Sequence, residues 1–236
     1  MKKIRYFYPE KEKRSILEFL KKLGVTGWII FTSIIISVVF FIVNFSNPEN
    51  IRYFALQPNN ILSGNYLWTL LTHIFIHGNI FHLFINMFVL FSLGGLCERI
   101  IGRKRYFWFY LISGVFAGLL SAVLAGLYGF DFWEKVFGSP EVYMVGASGA
   151  IFAIAGLFVV LLPRLKFSII FLPFISFPAY IIVPVILVIT WLASLAASLP
   201  IGNVAHFGGF LAGITYGYYL RTTYRKKIMI LQRLFK

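Results

Sequence analysis

Residues 25–45, VTGWIIFTSIIISVVFFIVNF, run for 21 positions without a charged side chain. At 1.5 Å per residue such a helix is about 30 Å long, which is the thickness of a bilayer's hydrocarbon core. The stretch therefore predicts a membrane-spanning helix. The chain around it has the same character: of its 236 residues 59% are hydrophobic and 13% charged, with a mean hydropathy of +0.83. Soluble domains carry about 45–50% apolar and about 25% charged residues, so the soluble globular, disordered, collagen-like and disulfide-scaffold classes are excluded. One cysteine, Cys97, leaves no intramolecular disulfide and no Cys-based metal site.

Outward from the first stretch, uncharged runs predict six spans, at about 25–45, 79–96, 106–127, 144–162, 179–198 and 204–220. The fold class is thus an all-α polytopic membrane protein, a six-helix bundle with a long first outer loop. Basic tails (1–24 and 221–236) flank a membrane domain over 25–220. The uncharged stretch 167–199 is too long for one span and too short for two. Pro173 and Pro178 divide it, so Ser168 to Phe177 is expected to be an interfacial or re-entrant piece ahead of the fifth helix. Between the first two spans, YLWTLLTHIFIH (Tyr66 to His77) is too short to cross. It reads as an amphipathic element in the outer interface, with Tyr66 and Trp68 at headgroup depth.

Lys and Arg outnumber Asp and Glu by 22 to 8. Twenty of the 22 fall in the two tails or in the second-to-third and fourth-to-fifth connections, leaving Arg52 and Lys135 on the opposite side. The positive-inside rule then places both termini in the cytoplasm of a cell (plasma or inner) membrane, which an even number of spans satisfies. The basic excess accordingly reads as topology and contact with the lipid bilayer, not as nucleic-acid binding. The N-terminal charged stretch is too long for the n-region of a signal peptide, so none is expected.

In this topology the second, fourth and sixth helices all start on the outer side. Their starts hold His82 and Asn86, Ser148, and His206. Polar groups inside spans are costly against lipid and face the bundle interior or water. Taken singly, a membrane serine commonly bonds its own backbone and a histidine commonly links two helices. The neighbours add more. Ser148 lies between Gly146 and Gly149, followed by Ala150, Ala153, Ala155 and Gly156, and His206 is followed by Gly209, Gly213 and Gly217 at a spacing of four. Two such strips, nearly free of side chains, can meet closely and bring the serine hydroxyl to an imidazole nitrogen, the arrangement that activates a weak nucleophile. Asn86, His82 and the backbone N–H groups at Ser148 are candidate donors to an oxyanion. No Asp or Glu lies inside a span to orient His206, because Glu98 closes the cytoplasmic end of the second helix. The base would work in a dyad.

These residues resemble the rhomboid intramembrane serine proteases. The resemblance runs from about Val25 to Leu220, and the chain looks like the minimal six-helix form. It rests on GxSG as Gly146-Ala147-Ser148-Gly149, on His82 with Asn86 four later, and on His206 followed by Gly209 and Gly213. Thr72, His77 and the series Gly94, Glu98, Gly102 add to it. The resemblance implies Ser148 as nucleophile and His206 as general base, with His82, Asn86 and the Ser148 backbone around the oxyanion. It implies Phe152 as an aromatic ring beneath the catalytic histidine, for which ordinary core packing is the alternative, and His77 as a structural donor. The activity implied is serine endopeptidase cleavage in or beside a transmembrane helix of a membrane-protein substrate, without metal or cofactor. Where the family commonly has Trp-Arg in the first loop, this chain has Trp68-Thr69, which removes up to five donors. Two other functions are open to the sequence: a catalytically silent rhomboid-like protein that binds membrane helices, and a metal or proton transporter built on His73, His77 and His82.

Overall fold

The computed structural model describes residues 23–169, 172–197 and 202–235. The N-terminal basic tail up to residue 22, most of the connection at 199–203 and Lys236 lie outside the described residues. The chain folds as a helical polytopic bundle. Among the described residues four helices are long and apolar enough to cross a membrane: α1 (Val25–Ser46), α4 (Ile80–Ile101), α5 (Arg103–Tyr128) and α8 (Ala179–Ala197, apolar enough over Ala179–Ala196). Between α1 and α4 lie a 3-10 turn (Pro48–Tyr53) and the short helices α2 (Pro58–Leu62) and α3 (Thr69–Thr72). The four-residue α6 (Glu134–Phe137) follows α5. The remaining helices are α7 (Ser148–Leu161), α9 (Asn203–Thr223) and α10 (Arg225–Leu234).

The bundle is built around α7. All of its side chains except those of Ser148, Phe152 and Val159 are buried, and its contact with α9 is the most extensive between any two helices of the described fold. On the outside, α1 exposes Phe31, Ile35, Val39 and Ile42, and α4 exposes Phe81, Phe84, Phe88 and Phe91. Large apolar side chains turned outward on both helices suit a surface covered by lipid rather than water.

The fourth span differs from the expected 144–162. Residues 144–147 stay outside the helix, because Met144 exchanges backbone hydrogen bonds with Leu56 in an isolated bridge (3.0 and 2.7 Å), Gly146 then turns the chain with φ of 122°, and Ala147 caps the helix that follows. The helix thus begins at Ser148 and has only 14 residues. The segment Ser168 to Phe177, expected to be an interfacial or re-entrant piece, takes the form of paired strands. It lies in an antiparallel hairpin of β1 (Lys166–Ile169) and β2 (Leu172–Pro178), with Lys166 opposite Pro178 and Phe167 opposite Phe177. Alternating, β-branched and aromatic residues around prolines favour paired strands over a helix there. The run Tyr66 to His77 takes the form of a single helical turn (Thr69–Thr72) followed by turns. Its inner residues Ile74, Ile76 and His77 are buried, while Leu67, Trp68 and Leu71 face outward. Nor is 221–236 only a tail. It contains the end of α9 and then α10, which docks Ile228 on the bundle and donates from the Gln232 amide to the Leu161 carbonyl (3.0 Å).

Glu98 locks the end of the bundle opposite the site. Its carboxylate accepts from the backbone N–H groups of Val25 and Thr26 and from the Thr26 hydroxyl, each at 2.9 Å, and lies 3.3 Å from Arg103 Nε. A negative group at the start of α1 satisfies donors that the helix itself leaves unpaired and opposes the helix dipole favourably.

Candidate active site

The first outer loop holds the backbone that leads into Ser148. Besides the Leu56–Met144 bridge, the Gly146 N–H donates to the His73 carbonyl at 2.9 Å. His73 is fixed in turn, its Nδ1 donating to the Thr69 carbonyl at 2.8 Å while its ring lies against Gly118 of α5. Its enclosure disfavours the imidazolium and lowers its pKa to about 4. Thr69 itself is fully buried and donates to the Tyr66 carbonyl at 2.7 Å. Trp68 Nε1 donates to the Tyr53 carbonyl (2.9 Å) and the Thr72 hydroxyl to the Phe54 carbonyl (2.8 Å). Neutral side-chain-to-backbone bonds thus pin this loop where the family commonly has an arginine.

Gly146 meets two requirements at once. Its positive φ favours a residue without Cβ, and a Cβ there would lie 2.9 Å from Cε1 and Nε2 of His82. His82 is thereby aimed at the turn just before Ser148. Ser148 is the first residue of α7, and the cap residue Ala147 offers no side-chain acceptor. The first-turn N–H groups and the positive end of the helix dipole are left to act on a ligand at Ser148.

His206 comes from the first turn of α9, and its Nε2 is 2.8 Å from Ser148 Oγ. Among the described residues its Nδ1 has no hydrogen-bond partner. With the proton on Nδ1, Nε2 accepts from the serine hydroxyl. The Phe152 ring, one turn below Ser148, stacks on the imidazole with centroids 4.6 Å apart and planes 28° apart. What permits this approach is the seam between α7 and α9. A Cβ at Gly209 would run into the Gly149 carbonyl and one at Gly213 into the Ala153 carbonyl. The two backbones touch directly, as small-residue strips allow in membrane helices.

Asn86 is buried one turn after His82, and its amide donates to the His82 carbonyl of its own helix at 2.9 Å rather than to Ser148. His77 lies behind His82 with ring centroids 5.2 Å apart. Its Nδ1 is 3.0 Å from Ser37 Oγ, and that hydroxyl also donates to the Phe75 carbonyl (3.1 Å). A hydroxyl has one proton to give, so Nδ1 of His77 is the donor to Ser37, and Nε2, buried without a partner among the described residues, is left as an acceptor. Ser37, on the first helix, carried no signal in the sequence beyond being polar in a span. The same holds for Leu56 and Met144, which act through backbone atoms. His73 and His77 are turned to different partners, and among the described residues no group of three or more His, Cys, Asp or Glu is placed to hold a metal ion.

Comparison with known proteins agrees with the motif pattern. Residues 64–223 match the model of the rhomboid domain. The presenilin-associated rhomboid-like protein, mitochondrial, of Homo sapiens is 30% identical over 177 residues, covering 72% of this chain and 42% of that protein. RHOMBOID-like protein 4 of Arabidopsis thaliana is 30% identical over 166 residues, 70% of this chain and 37% of its own. The rhomboid protease GluP of Bacillus subtilis (strain 168) is 32% identical over 111 residues, 47% of this chain and 19% of its own. The chain thus spans less than half the length of each of these relatives. A family match over two-thirds of the sequence, carried on a bundle that joins GxSG to the histidine of the last long helix, places this multi-pass membrane protein in the rhomboid family.

Proposed function

We propose that this chain is an intramembrane serine endopeptidase that cuts peptide bonds in or next to transmembrane helices of membrane-protein substrates. The observation that carries the proposal is the 2.8 Å contact between Ser148 Oγ and His206 Nε2 at the N-terminus of a buried helix. Ser148 attacks the scissile carbonyl carbon as its proton passes to His206 Nε2. The oxyanion so formed meets the N–H groups of the first turn of α7 and the imidazole of His82. The intermediate collapses to an ester on Ser148, and His206 gives its proton to the departing amine. Water, activated by the same imidazole, then hydrolyses the ester. The stacked Phe152 keeps the imidazole plane fixed while its protonation changes. For Asn86 to join, its amide must leave the His82 carbonyl, an exchange favoured once a full negative charge develops, since charge-assisted bonds are the stronger ones.

The short α7 supports access of water to this chemistry. Fourteen residues rise only about 21 Å, roughly 9 Å less than the hydrocarbon thickness. With Arg164 and Lys166 at the cytoplasmic headgroups just beyond its last turn, Ser148 lies below the opposite boundary, in a site opening to the outer side. The distribution of cations supports the same orientation, with both termini in the cytoplasm of a cell membrane, or on the matrix side if the membrane is mitochondrial. A helical substrate hides its carbonyls in i to i−4 hydrogen bonds, so residues of low helix propensity near the cut favour cleavage.

The test is cleavage of a tagged single-span substrate by the purified chain in detergent, without added metal. Wild-type cleavage is expected to vanish in both Ser148→Ala and His206→Ala. Cleavage that survives Ser148→Ala refutes the nucleophile, and failure to cut any of a varied substrate panel favours a silent helix-binding protein.

A further inference from the structure

The end of the bundle opposite the site carries a charge imbalance that the proteolytic chemistry leaves unused. After Glu141 the chain has no acidic residue, yet it has eight Lys and Arg. Several converge where α10 packs under the ends of α7 and α9. A cavity of about 330 Å³ there is lined by Leu162, Arg164, Arg221, Gln232 and Phe235 among others. A second, of about 170 Å³, lies toward the start of α10 and includes Arg105, Tyr224 and Lys227. Among the described residues neither Arg164 nor Arg221 makes an ion pair. Glu98, the acidic group at this end, is committed to α1 and Arg103. The walls are apolar on the bundle side, and α10 turns Met229 and Ile230 outward beside its cations.

Two guanidinium groups over an apolar wall, at the level where membrane helices end, match one ligand chemistry: a phosphate diester with hydrocarbon attached. We propose that the cavity between α10 and the ends of α7 and α9 binds the headgroup of an anionic phospholipid. The phosphate lies between Arg164 and Arg221 and the acyl chains run along Leu162 and Phe235. Basic pockets on the cytoplasmic or matrix side of membrane helices are suited to such headgroups, and guanidinium to bidentate phosphate contact. The bound lipid supplies the negative charge that this half of the chain lacks, and it fastens α10 to the bundle.

The experiment uses the purified full chain in detergent and does not depend on proteolysis. Phosphatidylglycerol and phosphatidylcholine are added in equal amounts, and the lipids retained per chain are counted by mass spectrometry of the intact complex. Thermal stability is followed in parallel. At the value of one surface cation for each arginine, phosphatidylglycerol should be retained about thirtyfold in preference to phosphatidylcholine and should raise the melting temperature. The preference should vanish in Arg164→Gln/Arg221→Gln and persist in Lys135→Gln, which removes a cation from the opposite side. Should the double variant fail to fold, the corresponding Arg→Lys variant, which keeps the charge but loses the fork, must show a weakened preference. Equal retention of the two lipids, or an undiminished preference in a folded double variant, overturns the site. Stabilisation by inorganic phosphate as large as that by phosphatidylglycerol overturns the lipid as its occupant.

Discussion

Adding one methyl group at Gly209 should disable Ser148 without touching it. The Cβ of an alanine there would fall on the Gly149 carbonyl, where an ordinary contact needs about 3.4 Å. Neither partner is a flexible side-chain end; both are helix backbone, so relief requires the helices to part. His206 lies one turn before Gly209 on α9, and Ser148 is next to Gly149 on α7. A separation of about 1 Å at the seam would lengthen the 2.8 Å Ser148–His206 contact beyond hydrogen-bond range, and displacements of that size can cost about a hundredfold in rate. Overpacking of this kind costs about 1–3 kcal/mol of stability, which a membrane bundle can survive. The assay pairs kcat/KM on a single-span substrate with labelling of Ser148 by a fluorophosphonate and with a melting curve. Gly209→Ala should fold with a lowered melting temperature, label slowly and lose about two orders of magnitude in kcat/KM. Gly95→Ala is the control: nothing lies within 4 Å of a Cβ there, so helix propensity alone predicts a gain of about 1 kcal/mol or no change. Wild-type kinetics and labelling in a folded Gly209→Ala would refute the view that the glycine seam sets the dyad distance.

Other outcomes follow from the same contacts. His82→Ala should lower kcat by about 10²–10³ with little change in KM, the loss typical of one oxyanion donor; an unchanged rate would remove His82 from the site. Glu98→Ala should cost about 3 kcal/mol or more in thermal denaturation, because the Val25 and Thr26 N–H groups and the Thr26 hydroxyl lose a charged acceptor, while Glu98→Gln should cost less. The exposed Arg103 side of that contact adds little. Cys97 is fully buried and should resist maleimide until the bundle melts. Acid should destabilise the fold through His73, whose pKa burial lowers to about 4. Unfolded, it titrates near its ordinary value of about 6.5, so below that pH the unfolded chain takes up a proton that the folded one refuses. Stability should therefore fall from about pH 6.5 toward 4, and less steeply in a folded His73→Gln.

The long helices were legible because their signal is a composition sustained over some twenty residues, and hydrocarbon enforces that composition position by position. Places where backbone pairing or packing overrides composition were not. Residues 144–147 are as apolar as the helix they precede, yet the bridge to Leu56 and the turn at Gly146 keep them out of it. The stretch around Phe174 is as apolar as a span, and it pairs as a hairpin. The C-terminal segment reads as a basic tail because its charges dominate, although Ile228, Leu231 and Phe235 form the face that packs on the bundle.

At the site, the sequence by itself determined which groups are polar in a place where polarity is costly, at which helix starts they stand, and that glycine and alanine strips flank two of them. Residue type and helical period suffice for that. Only the tertiary structure decided the 2.8 Å distance between Ser148 and His206, the stacking of Phe152, the turn of the Asn86 amide back to His82, and the anchoring of His77 on Ser37. Each of these depends on how far apart two helices come to rest. That separation is set by side chains distant in sequence, so no local pattern could express it.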